Sequence, residues 1–255
     1  MAGWQDFDDE LKAWDDAGFI PRFWWRDDDA IQVTPALDRL LKLANKFDIP
    51  LVVAVIPAGV QADLPQRLNR ESLVGVVQHG FAHENHAPQG QKSSEYPDTR
   101  TINEMSAEVA DGWSRLSSFD YLEKAFVPPW NRISEDLLIE LAAQGYSGVS
   151  TFGARKTSVP FVVNTHVDII DWRGRRGFTG EDGVLDQTLK HLQSKRLGIC
   201  DADEPTGLLT HHLDHDEDCW NYLETFLDWT RNRHAIEWLS ARQVFGRRET
   251  EAPND

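Results

Sequence analysis

Leu51-Val52-Val53-Ala54-Val55-Ile56-Pro57 is an apolar run of the length of one buried strand. Residues 35–44 precede it with apolar side chains at a helical period, and before them residues 19–25 form another apolar run that leads into three aspartates. A strand, a helix and a strand that is apolar on both faces form a βαβ unit, whose two strands lie parallel. The stretch therefore predicts a parallel sheet with helices on its faces.

The same alternation continues along the chain. Further strands are expected at residues 74–78, 125–129, 147–152, 161–170, 207–210 and 236–239, and further helices at 102–122, 134–144, 184–194 and 217–232. An amphipathic helix within residues 1–18 precedes the first strand, and the polar tail 247–255 is expected to fray. About seven strands alternating with helices, without a long linker, predict one α/β domain over residues 1–255, either a (β/α) barrel or a wound sheet.

Composition limits the classes of partner. The chain has 42 acidic and 26 basic residues and a formal charge of -16, which would repel a nucleic-acid backbone or an anionic membrane surface. Its N-terminus is acidic and lacks the apolar centre of a signal peptide, and no apolar run approaches the ~20 residues that span a bilayer. A cytoplasmic protein that neither binds nucleic acid nor inserts into a membrane is expected. The two cysteines, Cys200 and Cys219, are too few for a disulfide framework.

Three histidines, His79, His83 and His86, follow the strand expected at residues 74–78. His79 and His83 are four residues apart, so a helical turn after the strand would place both imidazoles on one side, where they could share a cation. The aspartates at residues 27–29 could add a carboxylate ligand. Each stretch also has a simpler interpretation: the histidines could lie in a solvated loop, and the aspartates could cap a helix. Together, however, the two stretches favour a metal site.

Polar and aromatic residues stand at five expected strand ends, the places where parallel α/β folds gather functional groups. They are residues 27–29, residues 79–86, residues 129–132, Asp168 with Asp171 and Trp172, and residues 211–212. Helix capping alone does not explain histidine, aspartate or aromatic residues at all five ends. The set therefore predicts one active centre.

This set resembles the polysaccharide deacetylase family, which has the NodB homology domain and is similar to carbohydrate esterase family 4. The resemblance runs from about residue 23 to residue 213 and implies a distorted (β/α) barrel of about seven strands. The family motif Thr-Phe-Asp-Asp-Gly is similar to Arg26-Asp27-Asp28-Asp29-Ala30. Matching Ala30 to the family glycine implies Asp28 as the catalytic base and Asp29 as a metal ligand, and the register that uses Asp27 and Asp28 stays open.

The second family motif, His-Ser/Thr-x-x-His, resembles residues 79–83. The resemblance implies His79 and His83 as the remaining metal ligands. His86 would then either support these ligands without contacting the metal or be exposed to solvent. Gly80 stands where the family has a hydroxyl residue, which removes one hydrogen bond expected to stabilise the loop.

The third family motif, Arg-x-x-Pro followed by an aromatic residue, resembles Phe126-Val127-Pro128-Pro129-Trp130. The family arginine, which would orient the base, is missing upstream of Pro129. Arg26 or Arg132 is a candidate to replace it. This is the largest departure from the family pattern.

The fourth motif, Asp-x-x-Asp-Trp, is matched in full by Asp168-Ile169-Ile170-Asp171-Trp172, and the fifth, Leu-x-His, resembles Leu209-Thr210-His211. The resemblance implies His211 as the catalytic acid, with His212 as the alternative. It also implies Asp168 as the carboxylate that orients the acid.

The implied reaction is the hydrolysis of an N-acyl group, or of an O-acyl group, with the help of a divalent metal. Zn²⁺ is the expected ion, and Co²⁺, Ni²⁺, Mn²⁺ or Fe²⁺ would suit the same ligands. Pro129, Trp130, Trp172 and Leu209 would form the substrate pocket, whose apolar lining should favour a small acyl group. The expected substrate is an amino sugar or a related intracellular compound, either a small cytoplasmic sugar or a carrier-linked intermediate.

Two other function classes are compatible with the same residues. The missing third-motif arginine is also what a non-catalytic metal-binding or carbohydrate-binding relative would show. Asp29, His79 and His83 would also satisfy the two-histidine, one-carboxylate set of an iron oxygenase, although the β/α pattern, Asp168 and His211 argue against that class.

Overall fold

The computed structural model describes residues 2–156, 161–233 and 236–246. Helices and strands alternate through these ranges. The helices are α1 (Trp4–Asp16), α2 (Pro35–Phe47), α3 (Asp63–Leu68), α4 (Ile102–Arg115), α5 (Glu135–Ala143), α6 (Glu181–Arg196), α7 (Glu217–Arg233) and α8 (Ala241–Phe245). The strands are β1 (Arg22–Ala30), β2 (Leu51–Val55), β3 (Val74–His79), β4 (Leu122–Val127), β5 (Gly148–Val149), β6 (Val167–Asp168), β7 (Thr206–Thr210) and β8 (Glu237–Trp238).

These strands form one parallel sheet in the order β5-β4-β3-β2-β1-β7-β6, and β8 pairs with the start of β1. Between β5 and β6, the chain forms parallel bridges from Val162 to Val149 and from Thr165 to Phe152. The same segment then continues into β6, which pairs with β7. The two edges of the sheet are thereby joined, and the predicted distorted (β/α) barrel is confirmed.

The apolar run that predicted the sheet lies at its centre. All five residues of β2 are buried, because β1 and β3 pair on its sides and helices cover the sheet. Rings of α1 and α7 pack together, with those of Phe7 and Trp229 4.6 Å apart between centroids. Since every strand runs parallel, the carboxyl ends of β1, β3, β4, β6 and β7 meet at one end of the barrel.

Several boundaries differ from the sequence predictions. β1 begins at Arg22 and runs through the aspartates, and the long strand expected at 161–170 consists of isolated bridges followed by the two residues of β6. α4 ends before Ser117 and Ser118, residues whose side chains compete with helical hydrogen bonding. α3 and α8 were not predicted, since five or six residues are too few for a clear helical period.

Other predictions concern the ends and the cysteines. α1 confirms the helix expected within residues 1–18, and the tail 247–255 lies outside the described residues. Cys200 and Cys219 are free thiols. Among the described helices, none combines the length and the apolar character that crossing a membrane requires.

Candidate active site

A break in the pairing of β1 determines where its three aspartates point. The register between β1 and β2 shifts between Asp27 and Ala30, and Asp29 has a left-handed backbone with a φ of 73°. Neighbouring side chains of a regular strand alternate between the two faces, but a bulge redirects one of them. Asp28 and Asp29 therefore both line one cavity at the carboxyl end of the barrel.

Asp29, His79 and His83 converge in this cavity. Oδ1 of Asp29 is 3.0 Å from Nε2 of His79 and 3.3 Å from Nε2 of His83. Nδ1 of His79 is 2.9 Å from the carbonyl oxygen of Val127, and because a carbonyl can only accept, this nitrogen carries the proton and Nε2 is free to bind a cation. One carboxylate and two imidazoles beside an open cavity fit a divalent cation that keeps a free coordination position.

The electrostatics of this group favour positive charge on His79, whereas burial and the neighbouring His79 lower the pKa of His83. Burial by itself would raise the pKa of Asp29, but His79 and the other nearby imidazoles hold that pKa well below its usual value. Burial would lower the pKa of His79, and the hydrogen bond to Asp29 with the charge of Asp28 outweighs burial and raises it. A proton on Nε2 of His79 thus occupies the position that a cation would take.

The loop after β3 is not the helical turn that the spacing suggested. Gly80 and His83 both have left-handed backbones, with φ of 53° and 57°, so that prediction was wrong even though the two imidazoles meet. Glu95 is 1% exposed and anchors the loop, since its carboxylate accepts from the backbone N–H groups of Ala82 at 2.7 Å and Phe81 at 3.2 Å. The sequence offered no signal for this residue, which lies in the turn-rich segment before α4.

Gly80 is explained by the same anchor. A Cβ atom at this position would lie 2.0 Å from Oε2 of Glu95 and 2.6 Å from the ring of Pro129. The carboxylate of Glu95 therefore fills the space of a side chain at position 80. It also supplies the stabilisation that the absent hydroxyl was expected to provide.

Arg26 is fully buried, and two nitrogens of its guanidinium contact the carboxylate of Asp28. Its Nε is 2.9 Å from Oδ1 and its Nη2 is 3.0 Å from Oδ2 of Asp28. Nη2 also donates to Oδ1 of Asn131 at 2.8 Å, and Nη1 donates to the hydroxyl of Ser150 at 2.6 Å. Of the two arginines considered for the missing third-motif arginine, Arg26 contacts Asp28, whereas Arg132 donates to a backbone carbonyl.

Asp27 faces away from the cavity. Its Oδ2 accepts from the hydroxyl of Thr210 at 2.7 Å and from the backbone N–H of His212 at 3.0 Å, and its Oδ1 contacts Nδ1 of the same histidine. Burial would raise the pKa of Asp27, but His212 outweighs burial and lowers it. Asp29 thus lies beside the metal-type histidines, whereas Asp27 is engaged by His212, which is itself buried.

His211 lines the same cavity as the metal-type group. Its Nε2 is 3.9 Å from Oδ2 of Asp28. The sequence expectation was that Asp168 holds His211, but Oδ2 of Asp168 accepts from Nε1 of Trp172 at 2.8 Å, and Oδ1 accepts from the N–H of Ile170 at 2.9 Å. The ring of Trp172 packs edge-on against that of His211, with centroids 4.7 Å apart.

Asp168 is therefore linked to His211 through an intermediate ring. Within the described residues, Nδ1 of His211 has no hydrogen-bond partner. Burial raises the pKa of Asp168, although the nearby His211 opposes that rise. Direct orientation by a hydrogen bond is replaced by packing against Trp172.

The cavity has a volume of about 610 Å³. Trp130 and Trp172 line it as expected, and the Trp130 ring packs 4.4 Å from that of His83 on a left-handed backbone with a φ of 55°. Pro129 and Leu209, also expected in the pocket, are buried and do not line it. The walls consist of other side chains instead.

Sequence reasoning missed several of these wall residues. They are Phe152, Arg173, Arg176 and Asp214. Phe152 ends an expected strand, and both arginines follow the fourth motif directly, so the strand-end rule could have found them. His86, which the family pattern left behind the ligands or in solvent, is exposed.

A second group of potential ligands, His166, His191 and Glu204, is buried outside this cavity. Nδ1 of His166 accepts from the backbone N–H of Gly207 at 3.1 Å, so in the neutral ring the proton is on Nε2, the nitrogen that faces Glu204. Glu204 also accepts from the backbone N–H of Asn164 at 2.8 Å. The group thus ties the closing segment of the barrel to β7, and this hydrogen-bond pattern does not suit a cation.

Comparisons with known proteins find the fold but no relative by sequence. No protein-family model and no curated protein matches the chain. Among solved structures, the peptidoglycan N-acetylglucosamine deacetylase Bc1960 superposes with a TM-score of 0.57 at 14% identity, covering 88% of this chain and 87% of that one. A family 4 acetyl xylan esterase from Clostridium thermocellum, in complex with cobalt, gives 0.53 at 13% identity over 88% of this chain and 90% of that one.

The chain has the fold of these deacetylases and esterases. A mutant of BA3943, a CE4 family pseudoenzyme with restored enzymatic activity, also superposes, with a TM-score of 0.59 at 16% identity over 89% of this chain and 68% of that one. Since this fold occurs in pseudoenzymes as well as in enzymes, activity must be argued from the side chains in the cavity.

Proposed function

We propose that this chain is a metal-dependent hydrolase that removes a small N-acyl group from an amino sugar or a related compound. One observation carries the proposal: a metal-type ligand group and two candidate proton-transfer groups, Asp28 and His211, face the same cavity. The shared fold supports the same reaction class. An O-acyl substrate would need the same groups.

Asp29, His79 and His83 would hold the cation, with Zn²⁺ as the preferred ion for one carboxylate and two imidazoles. When bound, such an ion supplies Lewis acidity to the acyl carbonyl and lowers the pKa of water to about 7. The chain's own contribution is to keep Asp29 ionised and to fix His79 through the Val127 carbonyl.

Asp28 is the proposed general base. The two nitrogens of Arg26 fix the orientation of its carboxylate, and Oδ2 lies 3.9 Å from His211 on the cavity side. A carboxylate held in this way can accept a proton from the attacking water without first having to reorient. Asn131 and Ser150 hold Arg26 in turn, so the proposed base is supported from the segments that follow β4 and β5.

His211 is the proposed general acid. An amine leaves poorly as an anion, so the breaking C–N bond needs a proton donor, and Nε2 of His211 faces the cavity beside Asp28. The ring of Trp172 packs against the imidazole and restricts its rotation, and the carboxylate of Asp168 holds that ring in place. We assign Trp172 and Asp168 as positioning residues.

Aromatic walls suit a sugar and a small acyl group. Trp130 and Phe152 line the cavity with Trp172, and rings of this kind pack against the apolar faces of pyranoses. Trp130 also covers His83, which limits the space beside the proposed ligand group. An acetyl-sized group fits this arrangement better than a long acyl chain.

The test combines product release with metal content. The purified protein, loaded with one defined metal at a time, is assayed for acetate and formate release from a panel of N-acetyl and N-formyl sugars. We expect His211→Ala to lower kcat by about 10²- to 10⁴-fold with metal content unchanged. Asp29→Asn should lose the metal itself, and His86→Ala, at an exposed position of the same loop, should change neither value.

Two outcomes would contradict the proposal. Metal bound without release of acyl product from any sugar would favour a non-catalytic binding protein. Turnover that depends on Fe²⁺ and molecular oxygen would favour the two-histidine, one-carboxylate oxygenase.

A further inference from the structure

Arginines in this chain are generally paired with carboxylates, as expected for a chain with a formal charge of -16. Within the described residues, nine of them lie within 4 Å of an Asp or Glu oxygen. They are Arg22, Arg26, Arg39, Arg67, Arg100, Arg115, Arg155, Arg196 and Arg231. The exceptions among the described side chains are six, and three of them, Arg70, Arg175 and Arg242, do not line the cavity.

Three such exceptions line the candidate active site. Arg132, Arg173 and Arg176 border the cavity, and the described part of the chain places no carboxylate oxygen in ion-pair contact with any of them. Nη1 of Arg132 donates a hydrogen bond to the backbone carbonyl of Ser93. Arg173 and Arg176 are exposed at the mouth of the cavity.

Arg176 is close to the proposed chemistry. Its guanidinium lies over the ring of Trp172, 5.5 Å from the centroid, and that ring also packs against His211. The backbone around it is ordered by Asp171, whose carboxylate accepts from the N–H of Gly174 at 2.9 Å and whose carbonyl accepts from the N–H of Arg176 at 3.0 Å. The turn therefore presents positive charge at a defined place next to the proposed acid.

The acidic residues of the cavity do not cancel this charge at the mouth. Asp28 is paired with Arg26, and Asp29 lies between two histidines. Asp168 accepts from Trp172. Asp214 is the remaining carboxylate of the lining and opposes the arginines.

We propose that the substrate is an anionic amide, an N-acyl amino sugar carrying a phosphate or carboxylate that Arg173 and Arg176 bind. The inference rests on the proposed function for the amide part of the substrate. Guanidinium groups bind phosphate and carboxylate oxygens through paired N–H donors. A neutral sugar would leave the two arginines at the mouth without an ion-pair partner, since Asp216 and Asp218, which lie near Arg176, form no ion pair with it in the described part of the chain.

Matched pairs of sugars test the proposal. Dissociation constants are measured by calorimetry on the zinc-loaded protein for N-acetylglucosamine, its 1-phosphate, its 6-phosphate and N-acetylmuramic acid. We expect at least one anionic sugar to bind tenfold or more tightly than N-acetylglucosamine. That preference should fall about tenfold in the variant Arg173→Gln/Arg176→Gln and persist in Arg175→Gln, which removes the same charge from the same turn outside the cavity lining.

Comparison of the two sugar phosphates with N-acetylmuramic acid shows whether the arginines prefer a phosphate or a carboxylate. Asp214→Asn should increase the preference, because it removes the opposing charge. Equal binding of neutral and anionic sugars, or a preference that survives in the double variant, would overturn the inference. Hydrolysis of neutral and anionic amides at equal rates would leave the deacylase intact and this inference refuted, whereas arginine-dependent binding without hydrolysis would refute the proposed function instead.

Discussion

Arg26 takes a position that the family pattern assigns to an arginine of another strand. It stands two residues before Asp28 on β1, yet its side chain reaches across the barrel to Ser150 and Asn131. A buried guanidinium on a buried carboxylate is stable only as a pair, because either charge alone would carry the full cost of desolvation. Asp28 and Arg26 are therefore expected to act as one unit.

Arg26→Gln should lower both stability and activity. The variant leaves Asp28 buried without a counter-charge, and we expect a loss of about 3 to 5 kcal/mol in the free energy of unfolding, measured by urea denaturation. The double variant Arg26→Gln/Asp28→Asn removes both charges and should recover most of that stability while acyl release stays abolished. Full stability in the single variant would show that the pair does not hold the site together.

Trp172→Phe and Asp168→Asn separate two ways in which Asp168 could act on His211. The phenylalanine keeps a ring but loses the Nε1–H that holds it to Asp168, whereas the asparagine keeps an acceptor for that N–H and loses the charge. With the asparagine oxygen toward Trp172, the bond from the N–H of Ile170 is lost. We expect Trp172→Phe to lower kcat about tenfold, with a smaller loss in Asp168→Asn, in steady-state assays that resolve kcat from KM. A larger loss in Asp168→Asn would mean that its charge acts on His211 directly.

At the scale of elements, the loop after β3 is held by contacts to other segments. Glu95 closes it from the segment before α4, and the ring of Pro129 packs against it from the end of β4. The two histidines proposed as metal ligands therefore depend on Glu95, a carboxylate outside the proposed ligand set.

Gly80→Ser restores the residue type of the family motif, and we expect it to destabilise this chain. A Cβ there collides with Glu95 and Pro129 on a left-handed backbone, so the free energy of unfolding should fall by more than about 2 kcal/mol, and zinc occupancy should fall with it. Gly90→Ser is the control. Gly90 has a φ of 85°, and a Cβ atom there would have no neighbour within 4 Å, so this variant introduces the backbone strain without a collision. Equal losses in the two variants would rule out the collision.

At the scale of the whole molecule, α1 packs against α6 and encloses a lysine. Lys195 is 2% exposed, and its Nζ lies 5.1 Å from the centroid of the Trp14 ring. Burial, with a contribution from Arg22, lowers the pKa of Lys195 from 10.5 to about 8. Below that pH the folded protein carries a buried positive charge.

Lys195 should make stability rise with pH in the alkaline range. Between pH 8 and 10.5 the unfolded chain holds a proton that the folded chain has lost, so the free energy of unfolding increases with pH. Lys195→Met should stabilise the protein at pH 7 by up to about 3 kcal/mol and remove this part of the pH dependence. Urea denaturation at a series of pH values checks both, and Lys190→Met, on the exposed face of α6, should leave the slope unchanged.

The sequence by itself determined the order of strands and helices, because apolar periodicity is a local property of the chain. It also determined which strand ends carry polar residues, and the resemblance selected Asp29, His79 and His83 from them. Boundaries were less accurate where an element is short, as in β5 and β6, since two residues are too few for a period to show.

Only the tertiary structure decided which side chains meet. The bulge at Asp29, the reach of Arg26 to Asn131 and the anchoring of residues 80–83 by Glu95 join segments that are far apart in the chain. Closure of the barrel brings these segments to one cavity. Sequence spacing encodes direction within a helix or a strand, whereas these contacts depend on how separate strands register with one another.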